Sequence, residues 1–338
     1  MKMTKMADCS IPPYKKILII RLSSMGDVLL TTPIVRTLKQ QFPFTEIHYL
    51  IKKEHQAVVA NNPYISHIHT YNKNISDFET LKKENFDFVV DLQKSTRSKK
   101  VLNFLNTPYG TFKKYNVAKW LYVRFKINKL PRNHIVDRYF DAVNSLNVKN
   151  DHQGLDYFIP KEDEYNCSNL PAVFKDGFVA VALGSLHQTK RIPLEKVVEI
   201  SKLLSKPVLL IGGQDVQKLG EEVVSHLTER AYSLCGYLTL NQSASIILQS
   251  NCLLTGDTGL MHIGAALRKP MAVLWGNTTP EFGMEPYCSD KELFKNFEIS
   301  LRCRPCTKLG YKRCPKRHFK CMQLQDAKEI ANWINQFE

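Results

Sequence analysis

The chain has 338 residues, of which 43% are hydrophobic and 23% are charged, and this composition is typical of a globular protein and not of a disordered one. No apolar run approaches the ~20 residues that cross a bilayer, and the N-terminal sequence MKMTKMADCSIPPYKK lacks the apolar core of a signal peptide, so we expect a cytoplasmic protein. Nine cysteines in such a chain indicate reduced thiols rather than a disulfide framework. The net charge of +15 favours anionic partners.

The first half of the chain predicts strands that alternate with helices. The buried strand KKILIIRL precedes a helix over residues 28–42, which contains Pro33 and should therefore have an irregular first turn. Further elements are predicted as the strands EIHYLIK, HIHTYN and DFVVDLQ and as helices over residues 77–84 and 134–146.

The segment 151–176 is irregular and rich in Pro, Asn and acidic residues, so we predict two domains, 14–165 and 172–338. The second half predicts the strands GFVAVALGS, PVLLIGG, NCLLTGD and PMAVLWGN with helices between them. Such alternation is typical of an α/β fold with parallel sheets covered on both faces. Two such domains in tandem form a cleft, and ligands of open parallel sheets bind beyond the carboxyl ends of the strands.

Three loops follow predicted strands and lead towards helices. They are residues 22–27, the loop GSLHQTKR at 184–191 and the loop TGDTGLMH at 255–262. Helix N-termini present free N–H groups and a partial positive charge, which suits phosphate, and Lys190 adds a mobile cation. We therefore predict a nucleotide diphosphate between the domains. Neither G-x-x-x-x-G-K-[ST] nor a G-x-G-x-x-G after the first strand is present, which disfavours P-loop NTPases and dinucleotide dehydrogenases.

Each polar residue of these loops also has an ordinary structural interpretation. Asp27 and Asp257 both precede helical sequence and could serve only as helix caps. His262 lies in an apolar helix and could be a core histidine with its hydrogen bonds satisfied. Residue type and position alone leave both interpretations open.

A basic segment with interleaved aromatic residues covers residues 92–136. It contains eleven Lys or Arg, seven aromatic residues and no Asp or Glu, and a second basic run without acids covers residues 302–320. A solvated face is one interpretation. The functional alternatives are contact with nucleic acid, with an anionic membrane surface or with a phosphorylated substrate.

Several segments together resemble the ADP-heptose:lipopolysaccharide heptosyltransferase family, glycosyltransferase family 9. They occur in the family's order and cover most of the chain: ILIIRLSSMGDVLLTTPIVRTLKQQFP, DLQKSTRS, HIVDRY, the Lys190 loop, TGDTGLMHIGAALRKPMAVLWGNTTPEFGMEPY and CRPCTKLGYKRCPKRHFKCM. The resemblance implies the GT-B architecture, in which two Rossmann-like doubly wound domains face a central cleft. The acceptor would bind the N-terminal domain, and the nucleotide sugar mainly the C-terminal domain.

The resemblance also implies roles for particular residues. Asp27 matches the family's general base, with Ser24 and Arg97 expected at the acceptor. The residues expected to bind the donor are Gly184, Ser185, Lys190, Asp257, Thr258, Gly259 and His262. No cofactor is implied, and the chain has no D-x-D pair that would indicate a Mg²⁺ or Mn²⁺ site.

The function implied is an inverting, metal-independent transfer of heptose from ADP-heptose, or a related nucleotide sugar, to a lipopolysaccharide core acceptor. Such an acceptor is phosphorylated and lipid-linked, so Arg97 would meet its acidic groups, and the region of Trp120 and Tyr122 would touch the inner membrane surface. Nucleic acid is not an expected partner. The alternative is a nucleic-acid-binding protein that uses the basic aromatic segment and the C-terminal cysteines.

Four cysteines near the C-terminus have the spacing C-x2-C-x7-C-x6-C, with His318 nearby; they are Cys303, Cys306, Cys314 and Cys321. This pattern is a candidate zinc site. The second pair lacks the tight spacing usual for tetrahedral zinc. Reduced thiols or a local disulfide are therefore the preferred interpretation.

Overall fold

The computed structural model describes residues 14–72 and 74–337. The first thirteen residues, which carry most of the segment tested for a signal peptide, and the last residue of the predicted second domain lie outside this range. The strands are β1 (Lys16–Ile20), β2 (Glu46–Ile51), β3 (His67–Thr70), β4 (Phe88–Asp91), β5 (Tyr109–Thr111), β6 (Val179–Ala182), β7 (Val208–Ile211), β8 (Ala231–Ser233), β9 (Cys252–Gly256), β10 (Met271–Trp275) and β11 (Phe294–Glu298).

The α-helices lie between and after these strands. They are α1 (Met25–Leu29), α2 (Thr32–Gln41), α3 (Ile75–Lys83), α4 (Thr96–Leu105), α5 (Asn116–Phe125), α6 (Ile135–Tyr139), α7 (Leu194–Ser201), α8 (Gln217–Leu227), α9 (Leu240–Gln249), α10 (Gly259–Ala266), α11 (Lys320–Gln323) and α12 (Ala327–Ile334). Within the described part of the chain, no helix is long and apolar enough to cross a membrane.

The strands form two parallel sheets with the same doubly wound connectivity. Sheet 1 has the order β3-β2-β1-β4-β5, and sheet 2 has the order β11-β10-β9-β6-β7-β8. Their central strands are continuous runs of aliphatic residues that are buried on both faces, as parallel sheets require. In each sheet the strand order reverses beside the first strand, so a crevice opens between β1 and β4 and another between β6 and β9. The α/β prediction is confirmed.

Two predicted helices have a different form in the structure. The helix predicted over residues 28–42 begins earlier and is divided into α1 and α2. Pro33 is the second residue of α2, where its missing N–H costs no helical hydrogen bond. The helix predicted over residues 134–146 continues beyond α6 as a tighter 3₁₀ segment, Phe140–Leu146.

The largest hydrophobic cluster is continuous across both halves of the molecule. It contains Ile19 of β1, Val28 of α1, Met261 of α10 and Val273 of β10. A second contact joins the halves at α6, where Arg138 donates to the Phe282 carbonyl. The halves are thus packed against each other, with α1 and α10 at their junction. The limits of the two domains stay a prediction.

Candidate active site

Asp27 lies in the first turn of α1, just beyond the carboxyl end of β1. Ser24 is the N-cap residue, and both its backbone N–H and its Oγ donate to Asp27 Oδ2, at 3.2 Å and 2.8 Å. The carboxylate therefore belongs to a capping box but is not itself the cap. About a quarter of the side chain remains exposed to solvent. The capping bonds use one carboxylate oxygen of Asp27 and leave part of the side chain accessible to solvent.

The second carboxylate oxygen pairs with Arg21, a residue that the sequence did not indicate as functional. Arg21 Nη2 lies 2.7 Å from Asp27 Oδ1, and the buried guanidinium also donates to the Leu92 carbonyl and to the Tyr139 hydroxyl. Burial tends to raise the pKa of Asp27, but the Arg21 charge and the hydrogen bonds from Ser24 outweigh it and lower that pKa. The Asp27 carboxylate is therefore ionised at neutral pH.

Across the junction, Asp257 and Lys190 form an ion pair at the carboxyl edge of sheet 2. Lys190 Nζ lies 2.6 Å from Asp257 Oδ2, which also accepts a 2.8 Å hydrogen bond from Thr278 Oγ1. Both charged side chains are largely buried. The Lys190 loop comes so close to β9 that a Cβ atom on Gly256 would collide with the Lys190 carbonyl. This packing brings the two predicted donor residues together.

Helix α10 begins two residues after Asp257. Thr258 is its N-cap, and its Oγ1 accepts from the Met261 N–H at 3.4 Å. The predicted donor residues Gly184 and Ser185 follow β6, the strand beside β9 at the reversal of strand order. The Ser185 carbonyl accepts two hydrogen bonds from Arg191, which fold the loop back on itself. The N-terminus of α10 and this loop thus share one edge of sheet 2.

Two glycines allow α1 and α10 to touch. A Cβ atom on Gly26 would lie 2.6 Å from His262 Cδ2, and a Cβ atom on Gly259 would overlap the Met25 side chain. The contact places α1, and with it Asp27, beside the first turns of α10. The predicted base and the predicted donor helix are therefore neighbours in the folded chain.

His262 is buried at this contact, with 3% of its surface exposed. Burial lowers its pKa to about 4, with the Asp257 and Asp27 charges opposing the shift, so the ring is neutral at physiological pH. Its Nδ1 atom is buried and has no hydrogen-bond partner among the described residues. A histidine that serves only to fill the core normally has a hydrogen-bond partner for each buried ring nitrogen. A purely structural role therefore explains why His262 is buried but does not explain why its Nδ1 is unpaired.

Arg97 lies half-buried in the first turn of α4, the helix that follows β4 after a short loop. Because β4 is the parallel neighbour of β1, Arg97 and Asp27 follow adjacent strands at the same edge of sheet 1. The loop between β4 and α4 is held by Asp91, which accepts from the Gln93 and Lys94 N–H groups and from Ser98 Oγ. The sequence therefore placed Arg97 at the correct edge, and its contact with an acceptor stays a prediction.

Three further lysines form a basic cluster near Asp27, defined here as Lys114, Lys119 and Lys308. Burial is the main cause that lowers the pKa of Lys119, to about 8. The Arg138 charge lowers it further, as do the charges of Lys308 and Lys114, while Asp27 opposes the shift. Burial and the Arg21 and Lys308 charges likewise lower the pKa of Lys114. The cluster combines the two basic runs of the sequence, from different halves of the chain. Such a concentration of positive charge would attract anions.

Helix α5 carries two aromatic residues, Trp120 and Tyr122, that have different surroundings although both were predicted to lie at a membrane surface. Trp120 is 57% exposed, with Val117 and Phe125 also exposed nearby on the helix. Tyr122 instead packs on Phe282 and donates to Glu281. Tyr122 thus contributes to the junction of the two halves, and contact of this region with a membrane stays a prediction. Trp120 is available to solvent.

The C-terminal cysteines lie near one another as free thiols. Cys303 Sγ is 3.9 Å from His318 Nε2, and Cys306 Sγ donates to the Cys303 carbonyl. Burial raises the pKa of Cys306 to about 12, and the neighbouring thiols add to the shift. No disulfide joins cysteines within residues 14–72 and 74–337. Zinc ligation by this group stays the less favoured hypothesis.

Comparison with known proteins identifies the family to which these features belong. The model of glycosyltransferase family 9 (heptosyltransferase) matches residues 76–312, well over half of the chain. The chain belongs to glycosyltransferase family 9. The recognition made from the sequence motifs, and with it the assignment as a glycosyltransferase, is confirmed.

This family 9 chain is similar to several known proteins. It is 22% identical over 293 residues to lipopolysaccharide heptosyltransferase 2 of Escherichia coli, covering 79% of this chain and 84% of that protein. It is 25% identical over 315 residues to lipooligosaccharide heptosyltransferase 2 of Campylobacter jejuni, covering 88% and 91%. The structure of a family 9 glycosyltransferase from Veillonella parvula superposes with a TM-score of 0.74 at 22% identity, over 96% and 97% of the two chains.

The structure of E. coli ADP-heptose lps heptosyltransferase II superposes on the family 9 chain with a TM-score of 0.69 at 20% identity, covering 95% of this chain and 99% of that one. These likenesses confirm the GT-B fold. The matched family segment contains Lys190 and Asp257, whereas Asp27 precedes it. The role of Asp27 therefore depends on the geometry described above.

Proposed function

We propose that this chain is an inverting glycosyltransferase that moves a heptose from ADP-heptose, or a related nucleotide sugar, to a lipopolysaccharide core acceptor without a metal ion. The observation that carries the proposal is the contact of Gly26 with His262, which brings the Asp27 helix against the helix that follows the Asp257–Lys190 pair. The donor and acceptor classes are supported by the names of the similar proteins.

The donor diphosphate would bind at the carboxyl edge of sheet 2. Lys190 is the mobile cation there, and it is now paired with the Asp257 carboxylate. A bound diphosphate, which has more oxygen atoms, could take over as the ion-pair partner of Lys190. The N–H groups at the start of α10 add a partial positive charge. As the sugar–phosphate bond breaks, negative charge develops on the leaving diphosphate. Lys190 and α10 would stabilise this charge, which is the task that a divalent metal performs elsewhere.

Asp27 would be the general base. Inversion requires the acceptor hydroxyl to attack the sugar from the side opposite the leaving group, while a base on that side takes its proton. Asp27 belongs to the other half of the molecule from Lys190, and Arg21 and Ser24 hold its carboxylate in one orientation. The acceptor oxygen forms the new bond to the sugar, its proton passes to Asp27, and the nucleoside diphosphate departs.

The acceptor would be an anionic glycan. The basic cluster of Lys114, Lys119 and Lys308 concentrates positive charge beside Asp27, and mutual repulsion among these lysines is relieved when an anion binds. Phosphate and carboxylate groups of a lipopolysaccharide core fit this field. Arg97, at the same edge of sheet 1, offers a planar guanidinium for a carboxylate or phosphate.

Helix α5 would hold the protein at the membrane that carries such an acceptor. Its exposed apolar residues Val117, Trp120 and Phe125 lie among the exposed basic residues Lys113 and Arg124. This combination of apolar and basic side chains is typical of a helix at the surface of an anionic bilayer. We place the contact at the cytoplasmic face of the inner membrane.

A donor and acceptor assay tests the whole proposal. Purified protein is incubated with a panel of nucleotide sugars and a lipopolysaccharide core acceptor, with and without EDTA, and the product's anomeric configuration is determined. We expect transfer from ADP-heptose with inversion and with EDTA present. Transfer with retention, or only with added metal, would contradict the mechanism. A rise in Tm with oligonucleotides but not with ADP would instead favour the nucleic-acid alternative.

A further inference from the structure

A cluster of histidines and glutamates lies at the amino end of sheet 1, away from the cleft. Glu46 and His48 are on β2, and His67 and His69 are on β3, where His67 pairs in register with His48. Because side chains two residues apart in a strand share a face, all four project to the same side of the sheet. Asp27 lies beyond the carboxyl end of β1, so this cluster is separate from the proposed active site.

The side chains of this cluster are in direct contact. His48 Nε2 lies 3.2 Å from Glu46 Oε2, and His48 Nδ1 lies 2.8 Å from His69 Nε2. The His48 and His67 rings are 4.7 Å apart between centroids. One ligand atom from each of Glu46, His48 and His67 lies within 4.8 Å of the other two. His48 is almost fully buried, whereas His67 is exposed, so the group is anchored on one side and open to solvent on the other.

We propose that Glu46, His48 and His67 bind one divalent transition-metal ion of the kind that prefers imidazole and carboxylate ligands, such as Zn²⁺, Co²⁺ or Ni²⁺. Ligand atoms around tetrahedral zinc are about 3.3 Å apart, given metal–nitrogen distances of about 2.0–2.1 Å, so the three side chains would have to rotate slightly towards one another to bind the ion. Three protein ligands leave positions for water on the exposed side. The metal class follows from the ligand types, since thiolates are absent from the group.

The surrounding residues fit this arrangement. If His48 binds through Nε2, its Nδ1–H donates to His69 Nε2, which is the outer hydrogen bond that orients metal-binding histidines. Lys16 is the nearby competing cation, and its shorter bond, 2.6 Å, is to Glu84 rather than to Glu46 at 3.7 Å. The ammonium can therefore remain on Glu84.

The test is a metal titration of untagged, full-length protein. Co²⁺ is added to wild type and to the double variant Glu46→Gln/His67→Asn, followed by calorimetry and by the absorption spectrum. We expect the variant to bind one ion fewer per chain and to lose the rise in Tm that Co²⁺ gives the wild type. The difference between the Co²⁺ spectra of wild type and variant should contain no thiolate-to-cobalt charge-transfer band. This result would distinguish the proposed site from the C-terminal cysteines. Both positions are exposed or half-buried, so the fold should be retained without metal.

A matched control is His226→Asn, an exposed histidine on α8. It should bind as many ions as the wild type. Equal stoichiometry and equal Tm response in wild type and in the double variant would overturn the proposal. If the double variant does not fold, the single His67→Asn variant replaces it, and weakening of Co²⁺ binding by at least tenfold is the expected result. Unchanged binding there would also overturn it.

Discussion

Gly26 and His262 are in van der Waals contact range across the junction of the two halves, where a Cβ atom at position 26 would lie 2.6 Å from the imidazole ring. Real Cβ atoms do not approach a neighbour this closely, so either the buried His262 side chain or one of the two helices would have to move. Because Asp27 is the next residue in α1, a shift of α1 would also displace the proposed base. The glycine of the G-D pair is thus a requirement of packing, and the aspartate depends on it.

Gly26→Ala should lower both Tm and turnover. Alanine favours a helix over glycine by about 1 kcal/mol, so the propensity effect alone would stabilise α1. Overpacking against His262 should outweigh it, with a typical cost of about 1–3 kcal/mol. Thermal unfolding of Gly26→Ala, His262→Ala and the double variant provides the measurement. Alanine at position 262 makes room for the added methyl group, so the loss of stability in the double variant should be smaller than the sum of the losses in the two single variants. A double variant whose loss equals that sum would contradict the contact.

Asp27→Asn should abolish most transfer while keeping ADP affinity. Removal of a general base typically lowers turnover on the order of 10²–10⁴-fold, and the amide retains the size of the carboxylate. Steady-state kinetics and ADP titration measure the two effects separately. The control is Asp141→Asn, an exposed aspartate after α6, which should behave as wild type. Turnover near wild type in Asp27→Asn would remove Asp27 as the base.

The ionisation of Asp27 should also appear in stability against pH. Burial raises its pKa, but Arg21 and Ser24 more than compensate, so the folded-state pKa lies below the ordinary value of about 3.9. The stabilisation is therefore fully present above about pH 4 and is lost as the pH falls through the folded-state pKa. We expect the Tm difference between wild type and Asp27→Asn to be constant from pH 5 to 8 and to shrink below pH 4. A difference that disappears near pH 6 would contradict the lowered pKa.

Lys190→Ala should weaken ADP binding and turnover together. A charge-assisted hydrogen bond contributes about 1.5–3 kcal/mol, which corresponds to roughly 10–100-fold in affinity. Isothermal titration with ADP measures the binding effect, and Lys202→Ala, an exposed lysine after α7, is the control. If Lys190→Ala binds ADP as tightly as wild type, Lys190 serves only as the partner of Asp257.

Trp120→Ser should reduce binding to anionic liposomes while transfer to a soluble, delipidated acceptor continues. Trp120 is exposed on α5 and would insert its ring at the interface, whereas Phe44, which is 82% exposed elsewhere, would not. Phe44→Ser is therefore the matched control. Co-sedimentation with liposomes measures the effect. Equal retention of both variants on liposomes would exclude α5 as the membrane contact.

The sequence was sufficient for the alternating architecture, because buried parallel strands are short apolar runs and the helices between them repeat with a period of 3.6 residues. It was also sufficient for the three loops at the carboxyl ends, since small residues before a helix mark them locally. Arg21 was missed because its partner, Asp27, lies six residues later on another element, and neither residue type nor spacing reveals an ion pair across a loop.

The parts that only the tertiary structure decided are contacts between distant segments. Gly26 meets His262, Lys190 meets Asp257, and the two basic runs converge on one cluster, all through packing of elements that are far apart in the chain. Similarly, the exposed Trp120 and the packed Tyr122 have the same aromatic character in sequence, and only the position of Phe282 separates them. Local sequence patterns indicate the periodicity of apolar residues in helices and strands and the positions of turns. They do not record which surfaces meet, because that depends on the free energy of the whole packed arrangement.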